Sequence, residues 1–238
     1  MTAPRAATWH DVEHGAYDAD LPLWRELAKV AAGPILELGA GTGRVAAELA
    51  ATGHQVVALD RDRELLATLA ERAPTVTSVT ADARDFELGT SFTLVLAPMQ
   101  LVQILGGPQG RIAMLQRVHV HLQDGGTFAA ALAEPLDAVP GADAMPPVPD
   151  MLERDGWVFS SQPVSVQEQS GQVVVTRRRQ IVSPTGELDE EVVEIGLDLL
   201  GIEEFEREAR RAGLALAERR EIPETGDHIG STVVICRR

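Results

Sequence analysis

A single cysteine, Cys236, stands among 238 residues, which excludes the disulfide framework of a small secreted domain. It lies in an apolar run and reads as a core residue. Long hydrophobic stretches are missing too. None reaches the roughly 18 residues that a membrane helix needs, and the best, Phe92 to Leu105, is broken by Pro98 and two glutamines. The opening Met-Thr-Ala-Pro-Arg-Ala-Ala-Thr-Trp-His has no signal-peptide core, so the expectation is a cytoplasmic protein with no membrane partner. Positive charge is in deficit, with 21 Lys and Arg against 36 Asp and Glu and a net charge of −15. That balance argues against nucleic acid, whose phosphates need a basic surface, although Arg177 to Arg179 form a local basic cluster. At 45% apolar the chain can bury a full core as one elaborated domain.

What the chain does hold is concentrated in Ile35 to Ala46, Ile-Leu-Glu-Leu-Gly-Ala-Gly-Thr-Gly-Arg-Val-Ala: an apolar strand containing Glu37, then Gly39, Gly41 and Gly43, then a helix start. Alternate glycines let the backbone turn sharply and expose N–H groups at the helix N-terminus, so a ligand can sit against the chain itself. A phosphate-cradling P-loop would continue with Lys-Ser or Lys-Thr, where Arg44-Val45 stands. A dinucleotide fingerprint would place its third glycine at Arg44, and Glu37 would repel a pyrophosphate. A ligand with a cationic end fits that acid. The segment resembles motif I of class I S-adenosylmethionine-dependent methyltransferases, an acid, any residue, then Gly-x-Gly-x-Gly.

Three later segments extend the resemblance in order. Gln55-Val-Val-Ala-Leu-Asp60 is a second strand ending in an acid, about twenty residues beyond the first glycine, where such a sheet binds ribose hydroxyls. Arg61 follows and is assigned to the same site. In Thr77-Ser-Val-Thr-Ala-Asp82-Ala83, the last two residues match the family positions that meet the adenine amino group and a ring nitrogen. Ser91 to Gln100 is a strand whose end, Pro98-Met99, opens over the methionine part of the cofactor in the family. Thr93 replaces the acid common early in that strand. Singly, each acid has a structural reading: Asp82 as a turn former, Glu37 as a helix-packing anion, Asp60 as the cap of a helix starting at Arg63. Only the set is specific.

Alternation of strands and helices through the first half gives an α/β expectation: a doubly wound, mostly parallel, seven-stranded Rossmann-like sheet. Helices are expected from Asp20 as cap to Gly33-Pro34, and over 44–52, 63–72, 111–122 and 202–212, the last with Glu203–Arg207 and Glu206–Arg210 pairs. Asp124-Gly125-Gly126 should stop a helix before a strand at 127–132. Residues 138–151 are too proline-rich for either element and read as a loop or lid. Strands over 157–167, 172–183 and 187–199 make an antiparallel β insert after strand five, placed over the ligand-binding ends of the parallel strands. The divisions expected are 1–134 for the arm and cofactor core, 135–200 for the lid and meander, and 201–238 for the return to the sheet. Exposed edges in the insert leave a homodimer open.

The layout resembles small-molecule N-methyltransferases, including those acting on amino sugars and, more distantly, glycine N-methyltransferase. The resemblance implies in-line transfer of methyl from S-adenosylmethionine to a small-molecule acceptor, most simply an amine, with S-adenosylhomocysteine as product. O- or C-methylation, protein or RNA methylation, a non-catalytic binding module and an NAD-dependent oxidoreductase are the alternatives. Alignment and water exclusion carry most of such a reaction, and only a hydroxyl or carbon acid needs a base. His14 and Tyr17, in the N-terminal arm, are the candidate catalytic groups, and Tyr17 also a candidate cofactor contact. His119 and His121 read as dipole or packing residues and no metal is expected; His228 is not placed by any motif. Trp157 and the proline-rich segment read equally as pocket wall or insert packing, and Arg177 to Arg179 as a solvated face or as the binding site of an acidic acceptor.

Overall fold

The computed structural model describes residues 6–133, 147–225 and 228–238. In chain order the first part holds α1 (Ala6–His14), α2 (Leu21–Lys29), β1 (Ile35–Leu38), α3 (Arg44–Ala51), β2 (Val56–Asp60), α4 (Arg63–Arg72), β3 (Thr77–Thr80), β4 (Phe92–Ala97), a 3-10 turn at Leu101–Gln103, α5 (Gly107–His121) and β5 (Leu122–Ala133). The insert contributes β6 (Asp150–Arg154), β7 (Trp157–Gln169), β8 (Gln172–Val182) and β9 (Leu188–Asp198), and α6 (Ile202–Arg211), β10 (Ala215–Ile222) and β11 (Ser231–Arg237) complete the fold. The main sheet runs β10-β11-β5-β4-β1-β2-β3, with β11 antiparallel to both its neighbours and the rest parallel. The second sheet, β6-β7-β8-β9, is antiparallel throughout. Among the described residues no helix is long and apolar enough to cross a membrane.

A parallel sheet covered on both faces needs strands that are apolar on both sides, and β1 is buried along its whole length. Leu36, Leu38, Val95 and Phe128 pack on Met114, Leu115 and Val118 of α5 and Phe205 of α6. Ile35, Leu94, Leu96 and Ala129 pack on the opposite face against Trp24, Leu27, Val45, Leu49 and Leu69 of α2 to α4. Both layers hold the carboxyl ends of β1, β2 and β4 side by side, and that is where the site forms.

Several elements depart from the sequence expectation. Asp20 precedes α2 but makes no side-chain cap bond; its carboxylate accepts from Trp24 Nε1 at 2.8 Å and from both Arg44 Nη atoms at 2.6 and 2.7 Å. A charge-assisted pair on a buried acid outcompetes a cap. The cap of α4 is Asp62, which accepts from Glu64 and Leu65 N–H, so Asp60 is left for other work. Helix α5 starts at Gly107, and Asp124 to Gly126 fall within β5 at an irregularity, where the register with β4 shifts between the Phe92–Leu122 and Leu94–Thr127 pairs. Glu206 bonds Arg219 on β10 at 2.6 Å instead of pairing along α6 with Arg210. Most of 138–151 lies outside the described residues, and its end, Asp150 and Met151, already belongs to β6.

Gln103, fully buried, ties the insert down: its amide exchanges two bonds of 3.0 Å with Ala133 at the end of β5 and donates to Asp198 O at the end of β9 at 3.4 Å. At the other side α1 packs on β6, β7 and α4. The insert is therefore fixed over the sheet from two directions.

Candidate active site

After β1 the glycine turn enters the left-handed region, with φ of +65° at Gly39, +57° at Gly41 and +89° at Gly43. Only glycine adopts such angles freely, which explains the spacing. Asp60, at the tip of β2, accepts from Gly41 N–H at 2.8 Å through one oxygen and from Asp62 N–H at 2.9 Å through the other. Each oxygen keeps a further lone pair for a ligand. Around this turn lies a cavity of about 380 Å³, whose wall includes Glu37, Gly39, Ala40, Asp60, Arg61, Asp82, Ala83, Pro98 and Met99.

Glu37 is the electrostatic anomaly of this cavity. It is 3% exposed, its Oε2 has no hydrogen-bond partner among the described residues, and burial pushes its pKa up to about 8 despite the nearby Arg44 guanidinium and a hydrogen bond from the Ala46 backbone. The unpartnered oxygen of a buried carboxyl in a cavity wall asks for a donor, and a cationic one would also restore its charge. These features fit the α-ammonium end of S-adenosylmethionine, and the open glycine turn fits close backbone approach. Asp82 is different. Bonds from the Arg84 side chain, at 2.6 and 2.9 Å, hold its pKa down to about 2, and a third comes from Arg84 N–H at 2.8 Å. Its carboxylate is ionised and already engaged by Arg84.

The N-terminal arm is helix α1, which covers the cavity. His10, which sequence reasoning passed over, bonds Thr42 Oγ1 through Nδ1 at 3.1 Å and lines the cavity wall. Asp11 is gripped by Arg72 of α4 at 2.8 and 2.5 Å and by Arg154 of β6 at 3.1 Å. Glu13 accepts from Arg179 Nε and Nη2 at 2.8 and 2.9 Å and from Ser161 Oγ at 2.7 Å. His14 lies in the walls of both this cavity and its larger neighbour. Its Nδ1 meets His10 O at 3.2 Å. A carbonyl only accepts, so Nδ1 carries the proton and Nε2 the lone pair. Burial and the His10 ring lower its pKa to about 4, so the imidazole is neutral at physiological pH.

The larger cavity, about 840 Å³, lies under the insert and shares His14, Met99, Gln100, Ile195 and Leu197 with the first. Met99 takes φ of +54°, an uncommon conformation for a non-glycine residue, at this junction. Tyr17 is placed in the larger cavity, with its ring 4.7 Å from that of His228 and 5.1 Å from the Arg44 guanidinium carbon. Burial raises the phenol pKa, which keeps it a proton donor and not a base. His228 is thereby placed as well, by a contact across the fold that no spacing could have revealed. Within Arg177 to Arg179, Arg177 pairs with Asp150 and bonds Ser161 Oγ at 2.8 Å, Arg179 is spent on Glu13, and Arg178 donates to Gln162 Oε1 at 3.0 Å. Trp157 packs with Trp9, Phe159 and Ile181 and so serves the insert. His121 accepts from Leu88 N–H at 3.1 Å and stacks on Phe86, a packing role.

Gly41 leaves no room for a side chain beneath α1. A Cβ there would fall 2.1 Å from His10 Nε2, at a φ already unfavourable for any side chain. Gly41→Ala should lose about 1–2 kcal/mol from the backbone alone and push α1 off the cavity. Thermal melting and titration with S-adenosylhomocysteine should both show the loss; unchanged binding would mean that α1 does not roof the cofactor site.

Residues 35–126 match the family described as methyltransferase domain. Among solved structures, the S-adenosylmethionine-bound amino pentose methyltransferase CalS10 of Micromonospora echinaspora aligns with a TM-score of 0.72 at 21% identity, covering 100% of this chain and 99% of that one. The sugar N-methyltransferase KedS8 of a Streptoalloteichus species aligns with a TM-score of 0.73 at 17% identity, covering 100% and 95%. A curated relative, ribosomal RNA small subunit methyltransferase A of a Synechococcus strain, is 31% identical over 150 residues, which cover 59% of this chain and 46% of that protein. The chain thus spans about half the length of that relative. The match across the glycine turn and the acidic strand ends makes residues 35–126 similar to a methyltransferase domain, and the sheet order agrees with that fold.

Proposed function

We propose that this protein transfers a methyl group from S-adenosylmethionine to a small-molecule amine. The observation that carries the reading is the pair of cavities meeting at Met99, Gln100 and His14. One holds the residues suited to the cofactor; the other, roofed by the inserted sheet, has room for an acceptor of several rings or a sugar. When bound, the cofactor supplies an electrophilic methyl carbon on a sulfonium.

The chain's part is to bind, align and exclude water. Glu37 holds the ammonium end, Asp60 the ribose, and Asp82 with Ala83 the adenine, beside the main chain at Gly39, Ala40 and Gly41 and the side chain of Arg61. Pro98 and Met99 shape the passage between the cavities. His14, neutral with its lone pair at Nε2, accepts from the acceptor's N–H and turns it toward the junction; a pKa near 4 makes it an orienting acceptor and a poor proton store. Tyr17 closes the acceptor side. An amine suits this equipment because it attacks once neutral, whereas a hydroxyl would need a stronger base. Two of the similar solved structures, an amino pentose methyltransferase and a sugar N-methyltransferase, support the same acceptor class.

Isothermal titration with S-adenosylmethionine, S-adenosylhomocysteine and NAD, followed by a transfer screen over amines, amino sugars and phenols, tests the reading. Micromolar binding of the two sulfur compounds, no binding of NAD and turnover on an amine are expected. Tight binding with no turnover on any acceptor would leave a non-catalytic module, and binding of NAD alone an oxidoreductase.

A further inference from the structure

We infer that His10 is a ligand-binding residue of the cofactor cavity, its Nε2 accepting a hydrogen bond from a ribose hydroxyl. This rests on the cofactor reading above.

The proton positions follow from the neighbours. The Asp11 carboxylate, held down to about 2, is the stronger acceptor beside the Thr42 hydroxyl and draws its proton. With that hydroxyl turned to Asp11, its oxygen accepts from His10 Nδ1 across the 3.1 Å contact, the tautomer we infer. The imidazole is neutral, because burial lowers its pKa and outweighs the attraction of Asp11. Nε2 is then a lone-pair acceptor with no partner among the described residues, in the wall of the cavity. An acceptor so placed faces the cavity, where a ligand hydroxyl can supply the donor.

Position selects the donor. The Nε2–Cε1 edge of the ring lies against Gly41, the residue whose N–H bonds Asp60. Asp60 and His10 thus flank the same peptide, and each Asp60 oxygen is already partly engaged by a backbone N–H. A ribose presents two hydroxyls, each with one proton: Asp60 takes one and His10 the other. Glu37, whose Oε2 needs a donor of its own, keeps the ammonium.

The test uses two substitutions that separate the ring nitrogens. His10→Asn keeps an N–H near the Nδ1 position and removes the acceptor at Nε2; His10→Gln can place a carbonyl near Nε2. Dissociation constants for S-adenosylhomocysteine and 5′-methylthioadenosine, which keeps the ribose but lacks the ammonium, are measured with the melting temperature of each variant. The expected result is a roughly fivefold to tenfold loss for both ligands in His10→Asn, the loss of about one neutral hydrogen bond, with partial recovery in His10→Gln and both variants melting within a few degrees of wild type. Unchanged affinity in His10→Asn, with wild type binding normally, would overturn the inference and leave the cofactor reading standing. A loss for S-adenosylhomocysteine alone would move the contact to the ammonium and overturn the ribose assignment. Parallel losses of affinity and stability in both variants would reduce His10 to a docking residue of α1. Failure of wild type to bind either ligand would instead count against the cofactor reading itself.

Discussion

Asp60→Ala is expected to weaken S-adenosylmethionine and S-adenosylhomocysteine by at least about 100-fold, the largest effect of any single change in the cofactor cavity. Two terms add. A hydroxyl bonded to a carboxylate contributes about 1.5–3 kcal/mol, which alone is a factor of ten or more. The same carboxylate also accepts from Gly41 and Asp62 N–H, so its removal frees two donors and releases the glycine turn from the shape that receives the ligand. Asp60→Asn separates these terms. Its one carbonyl oxygen can still hold one of the two backbone donors, and its affinity should fall between alanine and wild type, at about tenfold below the latter. Titration calorimetry on all three proteins decides the matter. Alanine binding as tightly as wild type would remove the cofactor assignment at its root, since the neighbouring acid in the cavity wall, Asp62, is engaged in capping α4.

The part of this site that was legible in the sequence is the part made by consecutive residues. Glu37, the glycines and Asp60 lie at strand ends, where apolar alternation and left-handed glycines leave one arrangement of the chain. The parallel order followed for the same reason: β1, β2 and β4 are apolar on both faces and must be covered on both. What remained hidden depends on pairs far apart in sequence. Glu13 reads as an exposed helical acid until Arg179, across the insert, reaches it. Asp20 reads as a cap until Arg44 and Trp24 claim its carboxylate. Arg177 to Arg179 offered a choice between solvent and an acidic acceptor; Glu13 meets Arg179, while Arg177, paired with Asp150, lines the larger cavity together with Arg178. His10 carried one signal that could have been used. It stands four residues before His14, on the same helical face, and a face that covers one cavity residue covers the next turn as well.

Glu37 makes the second large prediction, because its charge should change when the ligand arrives. With its pKa raised to about 8, the carboxyl is mostly protonated at pH 7 in the free protein. An ammonium brought beside it favours the ionised form and draws the pKa back down. Binding at pH 7 should therefore release close to one proton, and calorimetry in phosphate and in Tris should give enthalpies that differ by that proton's buffer ionisation. At pH 9 the difference should shrink, and in Glu37→Gln it should be absent at both. The substitution should weaken sulfonium and thioether ligands alike, by about tenfold or more, since both carry the ammonium. The stability of the free protein gives an independent check with a definite sign. A carboxyl whose folded pKa lies above its unfolded value of 4.5 contributes fully below 4.5, and that contribution is lost as pH rises through about 8. Wild type should then fall behind Glu37→Gln above pH 8 by a few kcal/mol, while the two stay closer at pH 5. Equal enthalpies in the two buffers for wild type at pH 7 would mean that Glu37 does not change protonation on binding, and the ammonium would have to be held elsewhere in the cavity. A buffer difference that survives in Glu37→Gln would instead assign the released proton to another group, with the His10 and His14 imidazoles, both neutral before binding, unable to supply it.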